Sequence, residues 1–292
     1  MATQDKLVLI AGATGQQGGA IAHGLLAKGW KVRAMTRHPE SAKATELKRL
    51  GAEVVAADLD NAASIEAALK GAWGAFAVQN TWEAGVEGEE RQGLSFAEIA
   101  RKAGIQHLVY SSVASADRHT GIPHFDNKAR IEGKIRSLGF PSYTILRAVF
   151  FMENLAGPWF LPGLQNGVLA IGIRPETRLQ MIAVKDIGAY GVWAFEQHEK
   201  LNRHEIDIAG DELTMPETAA VFGRIMGRDI SYQQVPIEEV RKFSDDFATM
   251  LEWFDRVGYN ADIAARSAES GIRPTKLPEW AAGMTWPAPV AR

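Results

Sequence analysis

Over residues 1–150 the chain alternates short, nearly unbroken apolar runs with longer stretches whose apolar positions recur at helical spacing. KLVLIAG, KVRAMTR, AEVVAAD, AWGAFAV, HLVYSS and PSYTILRA read as strands. QQGGAIAHGLLAKG, PESAKATELKRLG, NAASIEAALKG, GEERQGLSFAEIARKAG and PHFDNKARIEGKIRSLG read as the helices that follow them. Pro39 near the start and Gly51 past the end of the second helix match ordinary helix punctuation. Strands apolar on both faces and separated by helices predict a covered parallel sheet, an α/β fold of the Rossmann-like doubly wound kind.

Beyond residue 150 the texture changes. FFMENLAGPWFLPG is apolar, aromatic and interrupted by Gly and Pro; NGVLAIG and RLQMIAV predict strands flanking a turn at Arg174–Glu176. MPETAAVFGRIMG and PIEEVRKFSDDFATMLEWF predict two further helices, and the Pro- and Trp-rich close, RPTKLPEWAAGMTWPAPVAR, holds room for a short one. No repeat or low-complexity linker separates the halves. The division is therefore a Rossmann domain over 1–150 and a smaller α/β C-terminal lobe over 151–292, packed closely and free to return segments to the Rossmann sheet.

With 292 residues and no cysteine, the chain can bury a core without disulfides and has no thiolate nucleophile or Cys-ligated zinc. The net charge of −3 carries no basic excess for direct nucleic-acid binding. The first apolar run is too short for a signal peptide or a membrane span, so a soluble, cytoplasmic protein is expected. The histidines lack His-x-x-x-His spacing and predict no metal site, and no Gly-x-Ser-x-Gly elbow marks a hydrolase. Monomer and homodimer both fit these totals.

The chemistry starts at Gly12-Ala13-Thr14-Gly15-Gln16-Gln17-Gly18, directly after the first strand and at the start of a helix. Glycines there permit close backbone approach to a pyrophosphate, and the helix N-terminus offers unpaired N–H groups to the anion. The second strand ends in Met35-Thr36-Arg37-His38, without the acid that reads a ribose 2′-hydroxyl. Arg37, with Lys43 nearby, suits a 2′-phosphate, so NADP(H) is expected over NAD(H). Asp58 and Leu59 end the third strand beside the expected adenine. Gln79 and Asn80 end the fourth near the ribose, and Trp82 just beyond is placed to stack near the reactive ring.

HFDNK, residues 124–128, stands where a short-chain reductase carries Tyr-x-x-x-Lys. His124 and Lys128 are four residues apart, so one helix face presents both. Lys128 can hold the nicotinamide ribose and polarise an acceptor. Histidine, with an ordinary pKa of about 6.5, can donate a proton near neutrality. Ser111 and Ser112 end the fifth strand, and Ser112 is a second proton-donor candidate.

Together GATGQQGG, Arg37, QNTWE, HFDNK and ILRAVFFMENLAG resemble the NmrA-like family, an atypical branch of the short-chain dehydrogenase/reductase superfamily, with a looser likeness through MIAVKDIGAYG at Asp186. The resemblance implies NADP(H) in a cleft between the two domains. It places Gly12, Thr14, Gly15, Gln16 and Gln17 at the pyrophosphate, Arg37 at the 2′-phosphate, Asn80 near the ribose and Lys128 by the nicotinamide. Phe151, Met152 and Asn154 would border the nicotinamide end, and Phe150, Phe151 and Met152 would wall an apolar substrate pocket. Members divide between reductases that work without the usual tyrosine and redox sensors that bind a regulatory protein partner. Hydride transfer from NADPH to a small carbonyl, quinone or conjugated substrate is the leading expectation; the alternative is a non-catalytic NADP(H) sensor.

Overall fold

The structure, a computed structural model, describes residues 5–286; the last residues of the Pro- and Trp-rich close, 287–292, lie outside the described residues. The chain begins with β1 (Leu7–Ile10), α1 (Gln16–Ala27), β2 (Lys31–Thr36), α2 (Ala42–Arg49), β3 (Glu53–Ala56), α3 (Ala62–Leu69) and β4 (Gly74–Ala77). Next come α4 (Thr81–Lys102), β5 (His107–Val113), α5 (Pro123–Ser137), β6 (Ser142–Ala148) and β7 (Phe150–Phe151). Then follow α6 (Leu161–Gln165), β8 (Val168–Ile171), β9 (Arg178–Ile182), α7 (Val184–Glu196), β10 (His204–Ile208) and β11 (Asp211–Thr214). The chain closes through α8 (Met215–Met226), β12 (Ser231–Gln234), α9 (Ile237–Arg241), α10 (Asp245–Arg256), α11 (Ile263–Ser270) and α12 (Leu277–Ala282).

Two compact units form, and the chain passes between them more than once. Among the described residues the first comprises 5–117, His124–Arg147 and Ile187–Asp207; the second comprises Arg118–Pro123, Ala148–Asp186 and 208–286. The segment 187–207 groups with the first unit.

The first unit is built on a seven-stranded sheet in the order β10-β6-β5-β4-β1-β2-β3. β2, β3 and β4 run parallel to their neighbours, as does β5 to β4, with Leu9 opposite Arg33 and Ala75. β1, β4, β5 and β6 are almost entirely buried, which is why they read as unbroken apolar runs. Helix α7 was not anticipated because Gly188 and Gly191 weaken its helical signal. Packing explains them: a Cβ at Gly188 would sit 2.8 Å from that of Ala20, and one at Gly191 would sit 2.5 Å from the Ile21 side chain. A Cβ at Gly24 of α1 would likewise sit 2.7 Å from the Val192 side chain.

The second unit carries a three-stranded sheet, β11-β9-β7, and a parallel pair, β12-β8. The stretch 236–254, expected as one helix, is two. Ser244 caps α10 by accepting from the Phe247 amide, and the chain breaks between α9 and α10. Strands β10, β11 and β12 are short and polar, and the periodicity did not reveal them. Among the described residues no helix is long and apolar enough to cross a membrane.

Two charged or titratable clusters tie the first unit together. Arg147 on β6 is buried against Glu132 of α5 at 2.6 Å, and also pairs with Glu205 and Asp117. At the start of β5, buried His107 shares a 2.8 Å hydrogen bond with Ser142 and lies against Trp73, Phe195 and His198. Burial, and then the neighbouring His198, push its pKa from 6.5 down to about 3. A base depressed in this way adds stability that is complete above 6.5 and lost as pH falls toward 3. Urea titrations of the wild type should show stability falling below pH 6.5, and a His107→Gln variant should lose it with a shallower slope. Equal slopes would show that His107 is not the source.

Candidate functional site

The sheet order reverses direction beside β1, so the carboxyl ends of β1 and β4 open a crevice of the kind that binds ligands in doubly wound folds. Gly12 sits at the mouth with φ +63°, a conformation that disfavours side chains. A Cβ at Gly18 would fall 2.4 Å from the Gly12 carbonyl oxygen and 2.8 Å from that of Ala11. Helix α1 can therefore press its first turn onto the end of β1 only because residue 18 has no side chain. Gly15, its N-cap, supplies no side-chain cap, and no acid occupies the first turn. The N-terminal N–H groups and the positive end of the helix dipole thus stay available to an anion.

Around this turn the strand-end residues divide by what holds them. Thr14 lies 3.1 Å from Thr36, hydroxyl to hydroxyl, linking the glycine turn to the end of β2. Gln17 accepts a 2.6 Å hydrogen bond from Ser111, linking it to the end of β5. Arg37 forms an ion pair with Glu83, and that hydrogen bond raises its pKa. Asp58 accepts from the Asp60 amide in a turn, and Leu59 packs on the hydrophobic core. Asn80 caps α4, accepting from the Trp82 amide at 3.1 Å. Gln79 differs from all of these. Its side chain is only 5% exposed, yet neither its amide nitrogen nor its amide oxygen has a partner. A buried unpaired amide costs stability unless something supplies its bonds, which makes Gln79 a candidate ligand contact just past β4.

On α5, His124 and Lys128 do lie one helical turn apart, as their spacing requires. The His124 ring is 5.5 Å from that of Trp82, which is largely exposed. Lys128 is 13% exposed and pairs at 2.7 Å with Glu89, a fully buried carboxylate on α4. Glu89 also accepts from Thr81 and, at 3.0 Å, from Asn127. Burial alone would raise the pKa of Glu89, but Lys128, Thr81 and Asn127 together hold it below its ordinary value. Ser112 donates at 2.6 Å to Glu132, so its proton already belongs to the Arg147 network. Glu89 and Glu132 were not picked out from the sequence. Nothing local marks an acid as buried, although Glu89 does share a helix face with the buried positions Gln92, Gly93 and Phe96.

In the second unit Phe150 and Phe151 form β7, parallel to β9, with Phe150 opposite Met181. Met152 is fully buried and exposes no side-chain surface that could line a pocket, whereas Phe151 is partly exposed and Asn154 exposed. Glu153 between them is a strut: it accepts from the Val184 amide and from the Trp280 indole, each at 3.0 Å. Asp186 does similar work, accepting from the Thr275 amide at 2.7 Å and hydroxyl at 2.8 Å. No group of three or more His, Asp or Glu residues is placed to hold a metal ion among the described residues.

The NmrA-like family model matches residues 4–281. The chain belongs to the NmrA-like family. An NmrA-like family domain-containing protein of Dictyostelium discoideum is 26% identical over 290 residues, covering 92% of this chain and 94% of that protein. The NmrA-like family domain-containing oxidoreductase himF of Aspergillus japonicus is 37% identical over 162 residues, and the match spans 52% of this chain and about half, 49%, of that relative. Among solved structures, NmrA, a negative transcriptional regulator, in complex with NADP superimposes with a TM-score of 0.80 at 21% identity, over 96% of this chain and 95% of that one.

Within this NmrA-like chain a dinucleotide passes the test of fit. The glycine turn seats the α1 N-terminus backbone on backbone with no side chain at residue 18, and just past β4 Gln79 presents an unused donor and acceptor. Lys128 and Glu89 form one energetic unit. Replacing Glu89 with Gln strands a mostly buried ammonium and should destabilise the protein by on the order of 3 kcal/mol. Adding Lys128→Met should recover about 1–3 kcal/mol of that loss in a double-mutant cycle read by urea denaturation. Additive losses would mean that the pair is not coupled.

Proposed function

We propose that the chain is an NADPH-dependent atypical short-chain reductase acting on a small carbonyl, quinone or conjugated substrate. The observation that carries the reading is the unpaired, buried Gln79 amide beside a glycine turn whose helix N-terminus is open. In this reading Gly12, Thr14, Gly15, Gln16 and Gln17 hold the pyrophosphate, with Gln17 kept in place by Ser111. Arg37 takes the 2′-phosphate, Gln79 and Asn80 face the ribose, and Asp58 and Leu59 border the adenine. When bound, the cofactor supplies a hydride at its nicotinamide ring.

The protein's own groups then have distinct tasks. Lys128 polarises the acceptor oxygen from a position fixed by Glu89, which also shares part of its charge. His124 donates the proton that the reduced oxygen requires, because the Ser112 hydroxyl is committed to Glu132. Ser112 acts through that network. Trp82, exposed beside His124, offers a flat face for an aromatic ring. In the second unit Phe151 and Asn154 keep exposed surface, while Phe150 and Met152 lie in its core.

A second reading rests on one observation: the ammonium and the hydroxyl nearest the missing tyrosine are both engaged by buried carboxylates. That arrangement also suits a non-catalytic NADP(H) sensor acting on a protein partner, and NmrA itself is described as a negative transcriptional regulator. Turnover separates the two. Purified protein with NADPH, tested against aldehydes, ketones, quinones and conjugated carbonyls, should oxidise NADPH with at least one class. Lys128→Met should lower kcat/KM roughly 100-fold and His124→Gln about 10- to 100-fold. Saturable NADPH binding without oxidation across the panel would replace the reductase with the sensor.

A further inference from the structure

Arg37 suits a 2′-phosphate because the end of the second strand, Met35-Thr36-Arg37-His38, carries no acid. The fold brings an acid from elsewhere. Glu83, on the first turn of α4, pairs directly with the Arg37 guanidinium, the two side chains being 50% and 53% exposed. That turn is set apart from the rest of α4 by Gly85, which leaves helical geometry at φ 73° and ψ 167°. The backbone of the turn is itself held, since the Glu83 and Ala84 amides donate to the Asn80 carbonyl at 3.1 and 3.0 Å. Thr81 and Trp82 are tied to Glu89 and His124, so the backbone at Glu83 is held next to Arg37.

The other acids near Arg37 are spoken for. Asp60 accepts from Arg91 at 3.0 Å and from Gln92 at 2.9 Å, and Asp58 accepts from the Asp60 amide. Glu83 alone of these places its carboxylate on the guanidinium. A 2′-phosphate therefore meets a carboxylate already on one nitrogen of the Arg37 guanidinium, and must either displace Glu83 or share the guanidinium with a like charge beside it. A ribose 2′-hydroxyl meets no such obstacle: it can donate to a carboxylate, the role an acid after the second strand performs in NAD-selective sites.

We propose that Glu83 is a specificity-determining residue, a built-in competitor of the 2′-phosphate for Arg37, which lets the site accept NAD(H) alongside NADP(H). The proposal rests on the reading of this site as a nicotinamide dinucleotide site. An exposed charge pair is weak in water, so the competition narrows the preference for the phosphate and does not abolish it.

The test is fluorescence titration of the full chain with NADPH and with NADH, for wild type, Glu83→Gln, Arg37→Gln and the double variant, each checked by its melting curve. Wild type should bind both dinucleotides. Glu83→Gln should tighten NADPH about three- to ten-fold and leave NADH unchanged or weaker, because only the phosphate competes for Arg37 whereas the 2′-hydroxyl loses a charged acceptor. In the Arg37→Gln background the same substitution should gain less than about two-fold for NADPH, since the competition has nothing left to act on. An unchanged NADPH to NADH ratio in folded Glu83→Gln would overturn the proposal, as would a full gain persisting without Arg37. Failure of the wild type to bind either dinucleotide would instead overturn the underlying site assignment.

Discussion

One steric constraint underlies the site: the first turn of α1 lies against the end of β1 with no room for a side chain at residue 18. That contact is backbone on backbone, so it fixes where the helix N-terminus points without spending any polar group on doing so. The open N–H groups, the positive dipole end and the crevice at the sheet's reversal then coincide. Thr14 to Thr36 and Gln17 to Ser111 extend the constraint sideways, tying the glycine turn to the ends of β2 and β5. The strand-end residues are thereby held in one frame.

Buried carboxylates organise the remainder of the site. Glu89 and Glu132 each lie under a residue that chemistry would call on, Lys128 and Ser112 respectively. An unpaired buried charge is too costly to persist, so each acid recruits a full set of donors: Lys128, Thr81 and Asn127 for Glu89, and Ser112, Arg147 and Arg136 for Glu132. The consequence is rigidity at the price of freedom. Lys128 is held with its charge paired to Glu89, and the Ser112 hydroxyl is engaged by Glu132, so in the proposed reductase the proton transfer falls to His124. In the second unit Glu153 and Asp186 use the same device to pin the segment around 275–280.

The alternating apolar runs and helices of the first 150 residues were legible because strands buried on both faces leave an unmistakable pattern, and the glycine turn because its neighbours in sequence are its neighbours in space. Helix α7 was not legible: its glycines look like helix breakers until Ala20 and Ile21 are seen to occupy the space beside them. The run 236–254 keeps one helical periodicity through a break that only the Ser244 cap reveals. The site residues followed the same division. Lys128 and His124 could be paired by spacing along one helix, but Glu89 lies 39 positions from Lys128 and Glu83 lies 46 from Arg37. Both acids change the meaning of the residue they touch, and neither carries a local signal of doing so.

The central claim is that an anion of a nicotinamide dinucleotide rests on the α1 N-terminus with Gln79 beside it. Backbone and side-chain amide resonances, followed by NMR as NADPH is added, test this most directly. The account predicts saturable shifts at the Gly15, Gln16 and Gln17 amides and at the Gln79 side-chain amide, all with one common dissociation constant. Saturation at other positions while these four stay unmoved would contradict it.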